Sequence, residues 1–211
     1  MSIVVVDLGT GNLRSVAKAV EHVAPKHEVI ISHLPEVIER AERVVLPGQG
    51  AIGTWMKQVE TQHHLSQVLK DAIETRPVLG ICVGMQALFE HSEEDGGTNC
   101  LNIIKGKVKR FPNNMQDQHG ALKIPQMGWN MVSQKLDHPC WAGIEDNARF
   151  YFANSYYAIA DNPEHIAGKC EYGLPFCAAA AKGNLFAVQF HPEKSQHSGL
   201  KLIENFVNWS I

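Results

Sequence analysis

The 211 residues carry 19 basic and 22 acidic side chains, a formal net charge of -3, so no broad positive field exists to draw in nucleic acid or an anionic membrane surface. A hydrophobic fraction of 45% beside 19% charged residues excludes disordered and fibrous classes and supplies one sizeable core. The length suits a single doubly wound α/β domain over residues 1–211 acting on a small neutral substrate.

Residues 3–6 form a β-branched run without the basic flank and long apolar stretch of a secretory signal, which predicts a first strand in a cytoplasmic protein. No apolar run approaches the roughly 18 residues needed to cross a bilayer. Val16, Ala19, Val20 and Val23 then recur at helical spacing, and residues 28–31, 43–46 and 78–81 predict further buried parallel strands. Between the last two, Val59, Leu65, Val68, Leu69 and Ile73 return to a helical pattern. Alternating strand and helix predicts an α/β fold with a central, mostly parallel sheet and right-handed crossovers. From about Cys100 the pattern shifts to short extended pieces such as residues 105–109 and 150–152, which predict additional antiparallel strands in the C-terminal half. Residues 112–120, rich in Asn, Gln and Asp, read as a flexible stretch. Leu200, Ile203, Phe206 and Val207 predict a closing amphipathic helix.

The five cysteines, Cys82, Cys100, Cys140, Cys170 and Cys177, are odd in number and include no Cys-x-x-Cys pair, so neither a disulfide framework nor a zinc site is implied. Cys82 differs in its setting. Gly80-Ile81-Cys82-Val83-Gly84 lies between a predicted strand and a predicted helix, the pattern of a nucleophile elbow with cysteine in place of serine. Such a turn leaves no room for Cβ atoms at Gly80 and Gly84, lifts Sγ above the sheet and frees the Val83 N–H for an oxyanion. Alone, the motif fits a structural cysteine equally well, because a free thiol is only a few per cent ionised at neutral pH and needs a base.

His191 is the candidate base. It follows the strand-like run 186–190 and precedes Pro192, which places it at a strand end, where reactive groups of α/β sheets collect. Glu193, two residues on, can accept a hydrogen bond from the imidazole and so act as the third member of a triad. Gly48-Gln49-Gly50, at the end of another strand, offers a second oxyanion donor.

With Asp7-Leu8-Gly9-Thr10-Gly11-Asn12-Leu13-Arg14-Ser15, Pro125-Gln126-Met127-Gly128-Trp129-Asn130 and Gln189-Phe190-His191-Pro192-Glu193-Lys194-Ser195, these segments resemble the class I, or triad, glutamine amidotransferases. Within that class they are similar to the glutaminase subunits that serve imidazole glycerol phosphate synthesis. The resemblance spans residues 7–195. It implies hydrolysis of glutamine to glutamate and ammonia, with ammonia passed to a (β/α)₈ cyclase subunit in histidine biosynthesis; a glutaminase serving a different synthase is the alternative. It further implies that Gln86 and the backbone around Ser155 and Tyr156 hold glutamine, and that Trp129 and Lys182 lie near the subunit interface. Gln49 and Asn154 depart from the family pattern, which often has an aliphatic residue and a histidine there. No cofactor or metal is expected. A dinucleotide fingerprint after Gly9 and Gly11 would need glycine where Arg14 stands, and the adjacent His63 and His64 point about 100° apart on a helix and read as a solvated face.

Overall fold

A computed structural model describes residues 2–9, 12–118 and 120–211. Thr10 and Gly11 of the first motif therefore lie outside the described residues. The β-branched segments of the N-terminal half form β1 (Ser2–Val6), β2 (Glu28–Ser32), β3 (Arg43–Leu46) and β4 (Val78–Ile81), all parallel in the order β2-β1-β3-β4. Every residue of β3 and β4 is buried, which is why both read as unbroken apolar runs. The connections are α1 (Leu13–Val23), α2 (Pro35–Glu39), α3 (Ile52–Thr61) and α4 (Leu65–Thr75).

The apolar pattern from Val59 to Ile73 does not make one helix. The step from Val59 to Leu65 is six residues, out of phase with a helical face, and the chain breaks there with His64 at φ 66°. His63 and His64 accordingly sit in a turn, ring centroids 3.8 Å apart, and not on a helix face.

The C-terminal half both widens the sheet and adds a second one. Its main strands are β5 (Gly106–Arg110), β6 (Gln126–Met131), β7 (Arg149–Asn154), β8 (Tyr156–Ala160), β9 (Ile166–Glu171), β10 (Pro175–Lys182) and β11 (Leu185–Val188). β11 joins β4 in parallel, Val188 opposite Ile81, and β10, β8 and β5 continue the sheet antiparallel. β9 pairs with β10, while β6 and β7 form a separate antiparallel ladder. At the end of the stretch 112–120, Gln116–Asp117 pairs with Gly120–Ala121 as a small exposed hairpin; His119 lies outside the described residues.

The closing helix α6 (Gln196–Asn208) buries Leu202, Ile203, Phe206 and Val207 as its spacing predicts. Buried Arg43 of β3 ties down its C-terminal end, Nε donating to the Val207 carbonyl at 2.6 Å and a terminal nitrogen to that of Trp209 at 2.8 Å. Among the described residues no helix is long and apolar enough to cross a membrane.

Candidate active site

Cys82 stands between β4 and a single helical turn, α5 (Val83–Gln86). Its φ of 53° and ψ of -113° are costly for a residue with a Cβ, the strained geometry that an elbow imposes. The surroundings enforce it. A Cβ on Gly84 would lie 1.9 Å from the Leu46 carbonyl oxygen, and the Cys82 N–H is held by the Val188 carbonyl at 2.8 Å. The helix expected after Cys82 is a single turn, because the Leu88 and Phe89 amides bond three residues back, to Met85 and Gln86, and wind the chain more tightly. One turn has little macrodipole, so the field that favours a thiolate must come mainly from a side chain.

That side chain is His191, 2% exposed just beyond β11. Its own N–H donates to the Tyr151 carbonyl at 2.8 Å. Ser195 Oγ donates to the His191 carbonyl at 2.6 Å while accepting from the Tyr151 N–H at 2.9 Å, so the turn carrying the imidazole is clamped to β7. Nδ1 meets Glu193 Oε1 at 2.9 Å, with the Glu193 side chain fully enclosed. Nε2 is thereby left for Cys82, whose sulfur lies near enough to raise the pKa of the ring. Burial by itself lowers the pKa of His191, but the bonds to Cys82 and Glu193 outweigh it and raise the value to about 10. The protonated imidazole is thus favoured, between the Cys82 sulfur and a carboxylate that fixes its orientation. The other cysteines have no such partner: burial pushes Cys100, Cys170 and Cys177 up to about 12 and raises Cys140 as well.

The oxyanion donors differ from expectation. The Val83 N–H is not free but faces the Gly48 carbonyl at 3.4 Å. Gly48 can approach this closely because it lacks a side chain; a Cβ there would lie 2.8 Å from the Gly84 nitrogen. The place for a substrate oxyanion therefore holds a backbone carbonyl.

A cavity of about 420 Å³ opens over the pair and is lined by Gln49, Gly50, Val83, Gln86, Ser155 and Tyr156 as well as Cys82 and His191. The structure thus gathers the expected substrate-binding and oxyanion segments around Cys82. Gln86 is only 3% exposed, and its Nε2 is committed to Gln189 Oε1 at 2.9 Å and the Tyr156 carbonyl at 3.3 Å, leaving its own oxygen as the free end. Asn154, the second departure, donates to the same Tyr156 carbonyl at 2.9 Å. Two charged groups were not anticipated. Glu94 lines the cavity with its pKa raised by burial, and its Oε2 accepts from the Ile52 N–H at 3.0 Å; in sequence Glu93-Glu94-Asp95 looks like a solvated acidic loop. Lys194 reaches the rim from the turn after His191, and its place directly beside Glu193 was the available signal.

Trp129 is 37% exposed on β6, on the same face as Met127 and Met131, which are 68% and 56% exposed. Its cross-strand neighbour is Tyr151, so this apolar stripe lies one ladder step from the backbone that anchors His191. Lys182 is elsewhere. It ends β10 opposite Leu185, at the far end of β11 from His191, and its Nζ donates to the Ile103 carbonyl at 2.7 Å.

Amide hydrolysis through a cysteine nucleophile and a Cys-His-Glu triad is the class of chemistry this arrangement defines. Known proteins narrow the class. The profile described as glutamine amidotransferase class-I matches residues 4–209, and the chain belongs to that family of enzymes. Two relatives named imidazole glycerol phosphate synthase subunit HisH are similar over nearly their full lengths. That from Thiobacillus denitrificans is 53% identical over 100% of this chain and 92% of its own, and that from Pseudomonas putida 48% identical over 99% and 97%. A crystal structure of a glutamine amidotransferase shares the fold with a TM-score of 0.69 at 15% identity, covering 97% of both chains.

Proposed function

We propose that this chain hydrolyses glutamine with Cys82 as nucleophile and supplies ammonia to a (β/α)₈ cyclase subunit that makes imidazole glycerol phosphate, in the cytoplasm. The observation that carries the chemistry is Cys82 and His191 lining one cavity of about 420 Å³, with His191 Nδ1 held by the enclosed Glu193 carboxylate at 2.9 Å. The two full-length relatives support the destination of the ammonia.

Glutamine enters as a zwitterion with a neutral side-chain amide. Glu94 inside the cavity and Lys194 at its rim offer opposite charges for the α-ammonium and α-carboxylate, while the Gln86 oxygen and the backbone at Ser155 and Tyr156 orient the rest. With its proton already held on His191, Cys82 attacks the side-chain carbonyl carbon as the thiolate. Protonated His191 gives its proton to the departing nitrogen, ammonia leaves, and water attacks the γ-glutamyl thioester with the same imidazole as base. Turning over the Gly48–Gln49 peptide would withdraw the carbonyl that faces Val83, freeing that N–H and swinging the Gln49 N–H in beside it. This makes oxyanion stabilisation conditional, and the apolar stripe of Met127, Trp129 and Met131 beside a groove of about 840 Å³ is the face on which a partner would impose the condition.

The test is Cys82→Ala in the assembled synthase. Glutamine-dependent synthesis should vanish while added ammonium still supports it; retained glutamine-dependent turnover would remove Cys82 as the nucleophile.

A further inference from the structure

We infer that Gln189 is a catalytic residue, its side-chain N–H donating to the Cys82 thiolate. The inference rests on Cys82 being the nucleophile. Gln189 is fully buried beside Cys82, where the β4 and β11 register continues past Ile81 and Val188. Its Nε2 lies 3.7 Å from Sγ, within hydrogen-bond range of a sulfur acceptor.

The orientation of this amide follows from the bonds around it. The Tyr156 carbonyl can only accept, so the Gln86 atom facing it at 3.3 Å is the NH₂ group. That same nitrogen lies 2.9 Å from Gln189, so the Gln189 atom opposite must be its oxygen. The remaining end of Gln189, the end that meets sulfur, is therefore its donor. A donor aimed at sulfur selects the lone pairs of the thiolate. Together with His191, Gln189 gives Sγ two donors, and it holds the nucleophile without occupying the side from which glutamine enters.

Gln86 lines the cavity, so the relay from Tyr156 through Gln86 and Gln189 to Cys82 ties the wall of the substrate pocket to the attacking atom. Neither glutamine titrates, and no proton moves along the relay.

The experiment compares Gln189→Leu and Gln189→Glu with the unaltered chain, each assembled with the cyclase partner. Leu removes the donor. Glu keeps the shape, can still accept from Gln86, and turns a negative oxygen toward sulfur. Iodoacetamide labelling of Cys82 against pH should move to higher pH in Gln189→Leu and further in Gln189→Glu, and kcat for glutamine should fall about 10- to 100-fold in Leu, the size of one hydrogen bond to a charged group. KM should change little, and ammonium-dependent synthesis should be retained. A packing role predicts the reverse order, with the shape-preserving Glu milder than Leu, and that order would overturn the inference. So would labelling profiles that coincide. If Gln189→Leu does not fold, the Glu variant decides alone: labelling unmoved toward higher pH rejects the donor. Cys82→Ala run alongside separates the two levels, because glutamine turnover surviving there defeats the nucleophile assignment itself, whereas its loss with unaltered Gln189 variants defeats only this inference.

Discussion

Glu193→Gln isolates the charge of the triad carboxylate from its geometry. The amide has the same shape, and its oxygen can still accept from His191 Nδ1, now 2.9 Å from Glu193 Oε1. What disappears is the negative charge beside the imidazolium. The rise of His191 from 6.5 to about 10 corresponds to roughly 5 kcal/mol at about 1.4 kcal/mol per pH unit, divided between Cys82 and Glu193 after burial has taken its opposing share. A portion of about 2 kcal/mol for Glu193, the size of one hydrogen bond to a charged group, predicts a roughly 30-fold loss of kcat for glutamine. The pH dependence carries the sharper test. Because the folded-state pKa is raised, the imidazolium pairing stabilises the fold fully below the unfolded value of 6.5 and is lost as pH rises through about 10. The difference in Tm between the native chain and Glu193→Gln should therefore be widest near pH 6 and close toward pH 10. The alkaline limb of the glutaminase profile, set by loss of the proton that ammonia takes with it, should move toward neutrality in the variant. Thermal melts and rate profiles measured at matched pH values check both. A Tm gap independent of pH, with an alkaline limb unmoved, would refute the account of His191.

Gly84→Ala forces a Cβ to within 1.9 Å of the Leu46 oxygen, so the ends of β3 and β4 must part; a cost of about 3 kcal/mol should lower Tm by roughly 6 to 12 °C, measured by calorimetry, and abolish glutaminase activity. Arg43→Leu leaves the Val207 and Trp209 carbonyls buried without their donor, and urea titration should show a stability loss of about 2 to 4 kcal/mol with the ammonium-dependent rate of surviving folded protein unchanged. Met131→Glu places a charge in the exposed stripe of β6, so Tm should hold within about 1 °C while titration calorimetry shows cyclase affinity reduced at least tenfold.

The parts legible in the sequence are those whose signal is local. β3 and β4 are buried on both faces, so their apolar runs stand out, and the glycines around Cys82 announce a turn that their missing Cβ atoms permit. His191 and Glu193 are two residues apart, and the imidazole bonds the carboxylate where their spacing placed it. What the sequence hid depends on contacts between distant segments. Glu94 is 42 residues from Ile52, whose amide it accepts, and nothing around it marks a buried carboxylate. Gln189 meets Cys82 across 107 residues, through a register that no local pattern reveals. The free Val83 N–H was a fair inference from a helix start, but the chain itself supplies an acceptor from the neighbouring turn.

The oxyanion turn is held firmly at both ends and weakly in the middle. Before it, the Pro47 carbonyl accepts from the Trp55 indole N–H at 3.1 Å, within the core. After it, the first amides of α3 are capped from a distant segment, Ile52 by Glu94 at 3.0 Å and Gly53 by Asp95 at 3.2 Å, since Ala51 offers no side-chain cap. Between these anchors the Gly48 carbonyl has the 3.4 Å contact to Val83, at the long limit of a hydrogen bond and so with little energy to forfeit. A rearrangement that opens the oxyanion site is thus confined to one peptide flanked by two glycines, Gly48 and Gly50, of which the second already has φ of 81°. Moving α3 instead would break the Trp55 and Glu94 bonds together. Glu94 also lines the cavity over Cys82, so the carboxylate proposed to receive the glutamine ammonium is the one that fixes the end of the turn. Substrate occupancy and the oxyanion turn consequently share a single side chain, whereas the apolar stripe on β6 reaches the site from the other side, through Tyr151 and His191.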